Sequence, residues 1–393
     1  MKKKYFLFCI VLLSVKISVS QTVQLSTFSK ISIVTVGPGK KLYEKFGHSA
    51  IRVKDPVLGL DLIYNYGIFD FNAPNFYTNF FKGKLIYKLV GYPFRYFKED
   101  YTRDKRWVKE QVLNLTEQER QQFFMYLYNN AKPENANYLY DPFFNNCATK
   151  MRDVTTSILG DKVTFSTDFV KQNKSLRQLM NQEVYWNTWG GLGLNLISGC
   201  KLDKKVEAMA YMFLPKYVYE SFKNATVFIE NQPKKLVKES RTILDFKEPP
   251  LKSDTISPLL IFTVLLVLGL FFTYRDYKNK KETVWFDFLL FFLTGIVGVI
   301  VVFMWFFTSH SATPNNLNFL WAFAPNVVVG FLLFKKNKPQ WLQKYIGLLL
   351  IMLVAMILIW ILKIQVFSWC LLPIYALLLI RYLFLFKSKA LIN

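Results

Sequence analysis

Two short segments of this chain carry residue types that could perform nucleophilic chemistry. The segment FGHSAIR at 46–52 contains His48, and the segment NNCAT at 145–149 contains Cys147; the 393 residues include two histidines and four cysteines. A cysteine reacts as its thiolate, and a neighbouring imidazole favours that form and transfers the proton later in the reaction. The two segments therefore predict a cysteine–histidine pair for covalent catalysis.

The residues around His48 predict a β-hairpin. A β-branched run at 31–36 ends in a Gly-Pro-Gly turn, and two further β-rich runs, 49–54 and 60–66, flank the turn residues 55–59. His48 therefore stands at the start of the first hairpin strand.

A catalytic imidazole is normally held by a third polar group, and the hairpin offers two candidates. If the turn is centred near residues 57 and 58, His48 lies opposite Gly67 and diagonal to Asn65 on the same face of the sheet. Asn65 is therefore the predicted third catalytic residue. Asp61 is the alternative if the register of the strands shifts.

Cys147 is predicted to begin a helix. Asp-Pro and Asn-Asn dipeptides precede it as turn and cap residues, apolar side chains follow at helical spacing from Met151 to Ile158, and Gly160 ends the pattern. The partial positive charge at a helix N-terminus favours the thiolate, and the unpaired N–H of Cys147 is a natural donor to an oxyanion. Asn146 is predicted either to assist at the site or to act as a plain helix cap.

The order of the elements predicts an α+β domain. The strands come first and helices follow, beginning with a helix whose capping box joins Thr116 to Glu119 and which continues to about residue 131. A doubly wound sheet would instead alternate strands with helices along the chain.

The hydrophobic pattern predicts an exported domain joined to a membrane domain. Residues 1–20 have the features of a secretory signal peptide, with an uncleaved signal anchor as the alternative. Residues 21–230 would form the exported domain, 231–256 a linker, 257–386 the membrane domain, and 387–393 a cytoplasmic tail. Five apolar stretches are long enough to cross a bilayer; they lie near 258–274, 284–307, 317–334, 345–362 and 365–386.

Basic residues predict the orientation of the membrane domain. The loop 275–281 and the segment 335–344 each carry four lysines or arginines, whereas 308–316 carries none. The positive-inside rule puts the basic loops in the cytoplasm and residues 21–256 outside, which is also where a signal peptide would send them. The predicted location is the inner membrane, as a multi-pass protein with its catalytic domain in the periplasm.

The net charge of +23 does not indicate binding to nucleic acid, because of how the charged residues are distributed along the chain. Residues 21–256 carry 34 Lys and Arg against 24 Asp and Glu, a net charge of +10. A basic domain tethered to a bilayer is better placed to lie against anionic lipid headgroups than against nucleic acid. The membrane is therefore the predicted partner, and nucleic acid is not.

The residues alone leave other readings open. Cys147 and Cys200 are the two exported cysteines, and a disulfide between them would make a non-catalytic membrane protein. The cysteine–histidine pair could also belong to a hydrolase, either a cell-wall amidase or peptidase or a phospholipase or thioesterase. A metal site is less attractive, because one histidine and one cysteine fall short of zinc spacing. No metal and no cofactor are predicted.

The motifs and their order resemble a known enzyme family. A histidine-bearing hairpin followed by a helix that begins with cysteine is similar to the circularly permuted papain-like thiol hydrolases and acyltransferases. More closely, YEKFGHSAIR at 43–52, YNYGIFDF at 64–71 and NNCAT at 145–149 resemble the periplasmic domain of the lipoprotein N-acyltransferases of Bacteroidota. Residues 310–325 resemble that family's extracytoplasmic loop between membrane helices.

The resemblance implies transfer of a fatty acyl chain from a phospholipid donor to the N-terminal amine of a diacylated lipoprotein. On that reading Cys147 carries the chain as a thioester and His48 moves the protons, while the role of Asn65 in orienting the imidazole rests on the hairpin register alone. The predicted substrate-binding residues are Arg52, Asn146 and His310. Donor and acceptor both reside in the membrane, which agrees with a basic, membrane-tethered site.

Overall fold

The computed structural model describes residues 23–70 and 72–388. The predicted signal peptide at 1–20 and the last five residues of the predicted tail lie outside the described residues. A sheet-rich N-terminal domain is followed by a helical region that begins at Pro258. This layout confirms the predicted α+β class of the first domain and the helical nature of the second.

Antiparallel strands dominate the N-terminal domain. In the described residues they are β1 (Lys30–Val36), β2 (His48–Asp55), β3 (Leu60–Ile68), β4 (Ile86–Pro93), β5 (Val108–Leu113), β6 (Asn137–Leu139), β7 (Val163–Thr164), β8 (Thr226–Ile229), β9 (Gln232–Lys235) and β10 (Val237–Leu244). Seven of them form one sheet in the order β10-β5-β1-β2-β3-β4-β6, and the other three form a small sheet in the order β7-β8-β9.

β2 and β3 form the predicted hairpin. Ile51 pairs with Tyr64, which is the register expected from a turn centred at residues 57 and 58. The Asp55 carboxylate accepts hydrogen bonds from the N–H groups of Val57 at 3.0 Å and Leu58 at 3.2 Å. An aspartate that binds the backbone two and three residues ahead holds a tight turn, so local chemistry fixes the register.

Helices cover both faces of the large sheet. In the N-terminal domain they are α1 (Phe76–Phe81), α2 (Phe94–Arg103), α3 (Glu117–Asn130), α4 (Cys147–Leu159), α5 (Leu176–Glu183), α6 (Trp189–Ile197) and α7 (Pro215–Lys223). Ile51 of β2 packs in one buried cluster with Met151 of α4, whereas its neighbour Ala50 packs in another with Phe97 of α2. Successive residues of a strand point to opposite faces, so α2 and α4 lie on opposite sides of the sheet.

Two predicted helix starts are confirmed. α3 begins after Thr116, whose hydroxyl accepts from the Glu119 N–H at 3.2 Å in the predicted capping box. α4 begins at Cys147 and ends before Gly160. Both starts depend on side chains that bind the unpaired N–H groups of the first turn, a local feature that the sequence displays.

The predicted linker at 231–256 is wrong in its first half. β9 pairs with β8, and β10 pairs with β5 at the edge of the large sheet, so the chain returns to the sheet before it runs to Pro258. Five successive residues of β10, from Lys238 to Thr242, are exposed. Charged residues on an edge strand discourage pairing with another chain, and they also give this strand the composition of a linker.

Up to residue 388, the helical region contains four helices long and apolar enough to span a membrane. They are α8 (Pro258–Asn279), α9 (Val284–Phe306), α11 (Trp341–Ile361) and the span Trp369–Phe386, whose main part is α12 (Leu372–Phe386). The short helix α10 (Asn326–Leu332) lies between α9 and α11.

The third predicted span, 317–334, is interrupted and is not a single continuous helix. It consists of a 3₁₀ helix, Leu317–Leu320, and α10, with a proline immediately before α10 that interrupts the helical hydrogen bonding. At one end of the helical region the Leu317 N–H donates to Gln365 at 2.9 Å. At the other end Lys338, just beyond α10, pairs with Glu282. The broken segment therefore still runs from end to end.

One side of this broken segment packs against the other helices. The Asn326 side chain donates to Thr294 Oγ1 at 3.2 Å and accepts from the Tyr345 hydroxyl at 2.5 Å, and Asn318 Oδ1 accepts from Trp321 Nε1 at 2.9 Å. Non-helical backbone at membrane depth is tolerated where the protein itself supplies hydrogen-bond partners. A hydropathy average over the sequence does not register this break.

The two ends of the helical region differ in charge. Glu282, between α8 and α9, contacts both Lys338 and Ser388, so the basic loops and the last described residue share one end, here called the inner end. The opposite or outer end carries the loop 307–316. This loop contacts the N-terminal domain, where the Gly199 N–H donates to the carbonyl of Ala312 at 2.8 Å.

Candidate active site

Cys147 and His48 meet where α4 and β2 begin. Cys147 is the first residue of α4, and His48 is the first residue of β2. Their thiol and imidazole lie close enough for each to shift the pKa of the other, and the backbone N–H groups of Ser49 and Ala148 lie near the sulfur. Both side chains are partly exposed. The structure thus brings together the two residues that the sequence predicts as a pair.

Asn65 holds the far side of the imidazole. Its Oδ1 atom lies 2.6 Å from Nε2 of His48, and its Nδ2 atom donates to the Tyr92 hydroxyl at 3.0 Å. Because the amide nitrogen is used by Tyr92, Oδ1 accepts a hydrogen bond from Nε2–H, and Nδ1 is left as the proton acceptor toward Cys147. Tyr92 is not predicted from the sequence, since it arrives through the pairing of β4 with β3.

Electrostatics favour the thiolate–imidazolium form of the pair. Burial raises the pKa of Cys147, but the charge and hydrogen bond of His48 and the Ser49 N–H outweigh it, so this pKa lies below the ordinary value for a thiol. Burial lowers the pKa of His48, but the charge and polar contact of Cys147 together with the hydrogen bond to Asn65 outweigh it, so this pKa lies above its ordinary value. The pKa of Cys200 is raised, chiefly by burial. Of these two cysteines, Cys147 is therefore the more readily ionised.

A small open space borders the thiol. Gly67 has φ of +91° in an irregular stretch of β3, and a Cβ placed there would lie 3.7 Å from Cβ of Cys147 and 4.0 Å from the Tyr138 hydroxyl. Within the described residues that buried hydroxyl makes no hydrogen bond, although the Gly67 N–H lies near it. Burial raises the pKa of Tyr138, so the hydroxyl stays a donor. Tyr138 is not predicted from the sequence, since β6 has only three residues.

Asn146 acts as the helix cap. Its Oδ1 atom accepts from the N–H groups of Ala148 at 2.8 Å and Thr149 at 2.9 Å. Its Nδ2 atom donates to the carbonyls of Pro142 at 2.7 Å and Phe213 at 2.9 Å. The protein thus uses all hydrogen-bonding groups of this amide, so the cap role fits and the predicted substrate contact does not.

Among the backbone N–H groups of the first turn of α4, the N–H of Cys147 is the one that can donate to a substrate. The Lys150 N–H donates to the carbonyl of Asn146 at 3.0 Å, and the Asn146 side chain takes the N–H groups of residues 148 and 149. The Cys147 N–H and the Tyr138 hydroxyl are therefore two donors beside the sulfur. A pair of such donors suits an oxyanion.

Arg52 belongs to an ion-pair network of the sheet, which corrects its predicted role as a substrate ligand. It binds both carboxylate oxygens of Asp61 at 2.7 Å, lies 3.2 Å from the carboxylate of Glu110, and stacks 3.7 Å from the ring of Phe94. These contacts bury the guanidinium and occupy its donors. Asp61 is in turn held by Arg52 and is not the partner of His48, so the alternative third residue is excluded.

His310 lies at the outer end of the helical region, against α1. Its ring is hydrogen-bonded to the backbone of Phe80 and Phe81, with Asp141 nearby. Burial lowers the pKa of His310 by more than these contacts raise it. The structure brings His310 to α1 and not into the hydrogen-bonded group around Cys147, so its contact with substrate stays a prediction.

Two of the alternatives from the sequence concern a disulfide and a metal site. Cys147, Cys200 and Cys370 are free thiols, so the structural disulfide between Cys147 and Cys200 is wrong. Within residues 23–70 and 72–388 no group of three or more His, Cys, Asp or Glu is arranged to hold a metal ion.

The fold and the site define a class of protein: an α+β domain with a thiol–imidazole–amide row, attached to a helical membrane domain. Residues 19–181 match the Lnb N-terminal periplasmic domain, and residues 251–390 match the Lnb transmembrane domain. The two matches together cover most of the sequence, so the chain belongs to the Lnb-type lipoprotein N-acyltransferase family and is a membrane protein with a periplasmic domain. A search of curated proteins and a search of solved structures each found no match.

Proposed function

We propose that this protein is a cysteine-dependent acyltransferase that moves a fatty acyl chain from a phospholipid to the N-terminal amine of a diacylglyceryl-cysteine lipoprotein. The observation that carries the proposal is the row of Cys147, His48 and Asn65, in which the thiol and the imidazole shift each other's pKa and Asn65 is hydrogen-bonded to the ring. The family supports a lipoprotein acceptor, and the attached membrane domain supports lipid substrates.

The first half-reaction loads the enzyme. The Cys147 thiolate attacks the carbonyl carbon of a phospholipid ester and forms a tetrahedral oxyanion. The ester C–O bond then breaks, and the His48 imidazolium gives its proton to the departing lysophospholipid oxygen. The products are a thioester on Cys147 and a neutral His48, whose orientation Asn65 maintains.

The second half-reaction transfers the chain. The α-amine of the acceptor attacks the thioester carbonyl, neutral His48 takes a proton from the amine, and the C–S bond breaks. An amide forms on the acceptor, and the thiolate–imidazolium pair is restored. A site that excludes water favours the amine over hydrolysis.

Two donors would stabilise the oxyanion in both steps. The Cys147 N–H belongs to the helix start, and the Tyr138 hydroxyl is buried beside the same space. Fixed donors at the position of developing negative charge are worth roughly 3 to 4 kcal/mol each in related chemistry.

The proposed orientation places the inner end in the cytoplasm and the catalytic domain in the periplasm, in the inner membrane. The lysines and arginines concentrate at the inner end, which supports this assignment by the positive-inside rule. Each long helix and the broken segment would then cross the membrane once.

The test is mass spectrometry of a lipoprotein's N-terminal lipopeptide from cells that lack an endogenous N-acyltransferase. We expect an added acyl chain on the amine with the parent protein and with Cys200→Ala, and none with Cys147→Ala. Cys200→Ala is the matched control, because it removes another free, partly exposed thiol of the same domain. Absence of the added chain with all three proteins, at confirmed membrane expression, would contradict the proposal.

Hydrolysis is the competing use of the same row of residues. A hydrolase would pass the thioester to water and release free fatty acid without an acylated acceptor. Counting both products in purified vesicles separates the two reactions, since a transferase yields lysophospholipid and acylated lipopeptide in equal amounts.

A further inference from the structure

The short helix α1 presents an unusual amount of apolar surface. Its six residues include no buried side chain, although four of them are Phe or Tyr. Tyr77 is 72 % exposed, and Phe80 and Phe81 are also exposed. Contiguous exposed apolar side chains of this size are unfavourable in water and typically mark a contact with another apolar phase.

The apolar surface continues along the edge of the large sheet toward the active site. Ile86 of β4 and Leu139 of β6 are paired, and both are exposed. The next pair in the register is Tyr87 with Tyr138, which points to the other face of the sheet, so the surface reaches the two edge strands that also carry Tyr138. We name this the outer apolar surface; its members are Tyr77, Phe80, Phe81, Ile86, Leu139 and Phe144.

Three contacts tie α1 to the outer end of the membrane helices. The ring of Phe81 stacks on Phe303 of α9 with centroids 5.0 Å apart. The Ser309 N–H donates to the carbonyl of Lys82 at 2.8 Å. Gly83 lies so close to the loop 307–316 that a Cβ there would be 2.6 Å from the backbone nitrogen of His310. The outer apolar surface is therefore continuous with the lipid-facing side of α9.

We propose that the outer apolar surface embeds in the periplasmic leaflet and forms the path along which the acyl chains of a phospholipid reach Cys147. The occupant is hydrocarbon chain, because the surface continues from a membrane helix to β6, the edge strand that also carries Tyr138. Exposed lysines at 82, 84 and 88 flank it and match the phosphates of the headgroup layer. The path rests on the proposed function, whereas the embedding does not.

Embedding is tested by photocrosslinking in the full-length protein. A benzophenone amino acid replaces Tyr77 in one variant and Phe80 in another, in vesicles that contain an alkyne-tagged phospholipid. Control variants carry it at Val57 and Phe28, which are comparably exposed but lie at the far end of the hairpin. The strand geometry puts that end about 30 Å from His48. We expect lipid adducts at 77 and 80 and at most a tenth as many at 57 and 28.

Three outcomes of the crosslinking experiment would contradict the embedding. Adducts to another protein alone, no adducts at 77 and 80, or equal labelling at all four positions would overturn the embedding. The measurement does not require acyl transfer, so a failure of the proposed chemistry and a failure of this surface are distinguishable.

The proposed path for the acyl chains is tested by introducing a charged side chain into it. Tyr77→Glu places a carboxylate in the proposed hydrocarbon layer, whereas Val57→Glu places one at an equally exposed control position. We expect acyl transfer to fall at least tenfold for Tyr77→Glu and to be unchanged for Val57→Glu, with both proteins folded in detergent. Tyr77→Ser, which removes the ring without adding charge, should give a smaller loss. Full activity of Tyr77→Glu would overturn the path.

Discussion

The Oδ1 atom of Asn65 lies 2.6 Å from Nε2 of His48, across a hairpin whose register is set by its turn. This contact assigns opposite tasks to the two ring nitrogens: Nε2 donates to the amide, and Nδ1 exchanges a proton with Cys147. The imidazole of His48 is thus oriented by a residue seventeen positions along the same hairpin.

The hydrogen bond from His48 predicts the effect of replacing Asn65. In Asn65→Ala the imidazole loses its anchor and the fixed tautomer, so we expect kcat to fall roughly 10- to 100-fold, part of the ~10²–10⁴ that general acid–base catalysis contributes. Tyr92→Phe removes only the support of Asn65 and should cost less. Initial rates of acyl transfer are the measurement, and parental kcat in Asn65→Ala would contradict the assignment.

The opposite pKa shifts of two cysteines predict a difference in alkylation with pH. Because the pKa of Cys147 is lowered in the folded protein, its thiolate persists as pH falls below the ordinary thiol range; the pKa of Cys200 is raised, so its labelling requires alkaline pH. Rates of iodoacetamide labelling at each site are read by mass spectrometry. His48→Ala should move the Cys147 profile upward. Identical profiles for both cysteines would refute the thiolate–imidazolium pair.

The space above the thiol predicts that Gly67→Ala reduces activity. The added methyl group would sit 3.7 Å from Cβ of Cys147, where the reacting carbonyl must approach, at a φ of +91°. Gly59→Ala is the matched control, since Gly59 has φ of +63° and no neighbouring atom within 4 Å of the added carbon. Both variants should lose about 1 to 2 kcal/mol of unfolding free energy. Only Gly67→Ala should lose acyl transfer; equal activities would argue against access from this side.

The unpartnered Tyr138 hydroxyl predicts a loss of transition-state stabilisation in Tyr138→Phe. We expect kcat to fall roughly 10²- to 10³-fold with little change in KM, as for removal of one oxyanion donor. The control is Tyr66→Phe, whose hydroxyl donates to Asn130 at 2.7 Å instead. A normal kcat in Tyr138→Phe would leave the Cys147 N–H as the donor of this site.

Several features could be predicted because their causes lie within a few residues. The hairpin register follows from Asp55 and its turn, and the start of α4 follows from the Asn146 cap. These two elements, together with the packing of α4 against β2, then bring His48, Asn65 and Cys147 close to one another. The family resemblance has the same origin, since its motifs are the strand, the turn and the helix start.

The sequence by itself therefore determined the exported α+β domain, the apolar membrane segments and the pairing of Cys147 with His48, because turns, caps and hydropathy are encoded locally. Only the tertiary structure decided that Glu110 captures Arg52, that Tyr138 borders the thiol, and that α1 meets α9. It also decided that 317–334 is a broken segment and that β10 belongs to the sheet. Each of these depends on partners distant in the chain, and a buried charge, hydroxyl or amide takes the partner that folding places beside it.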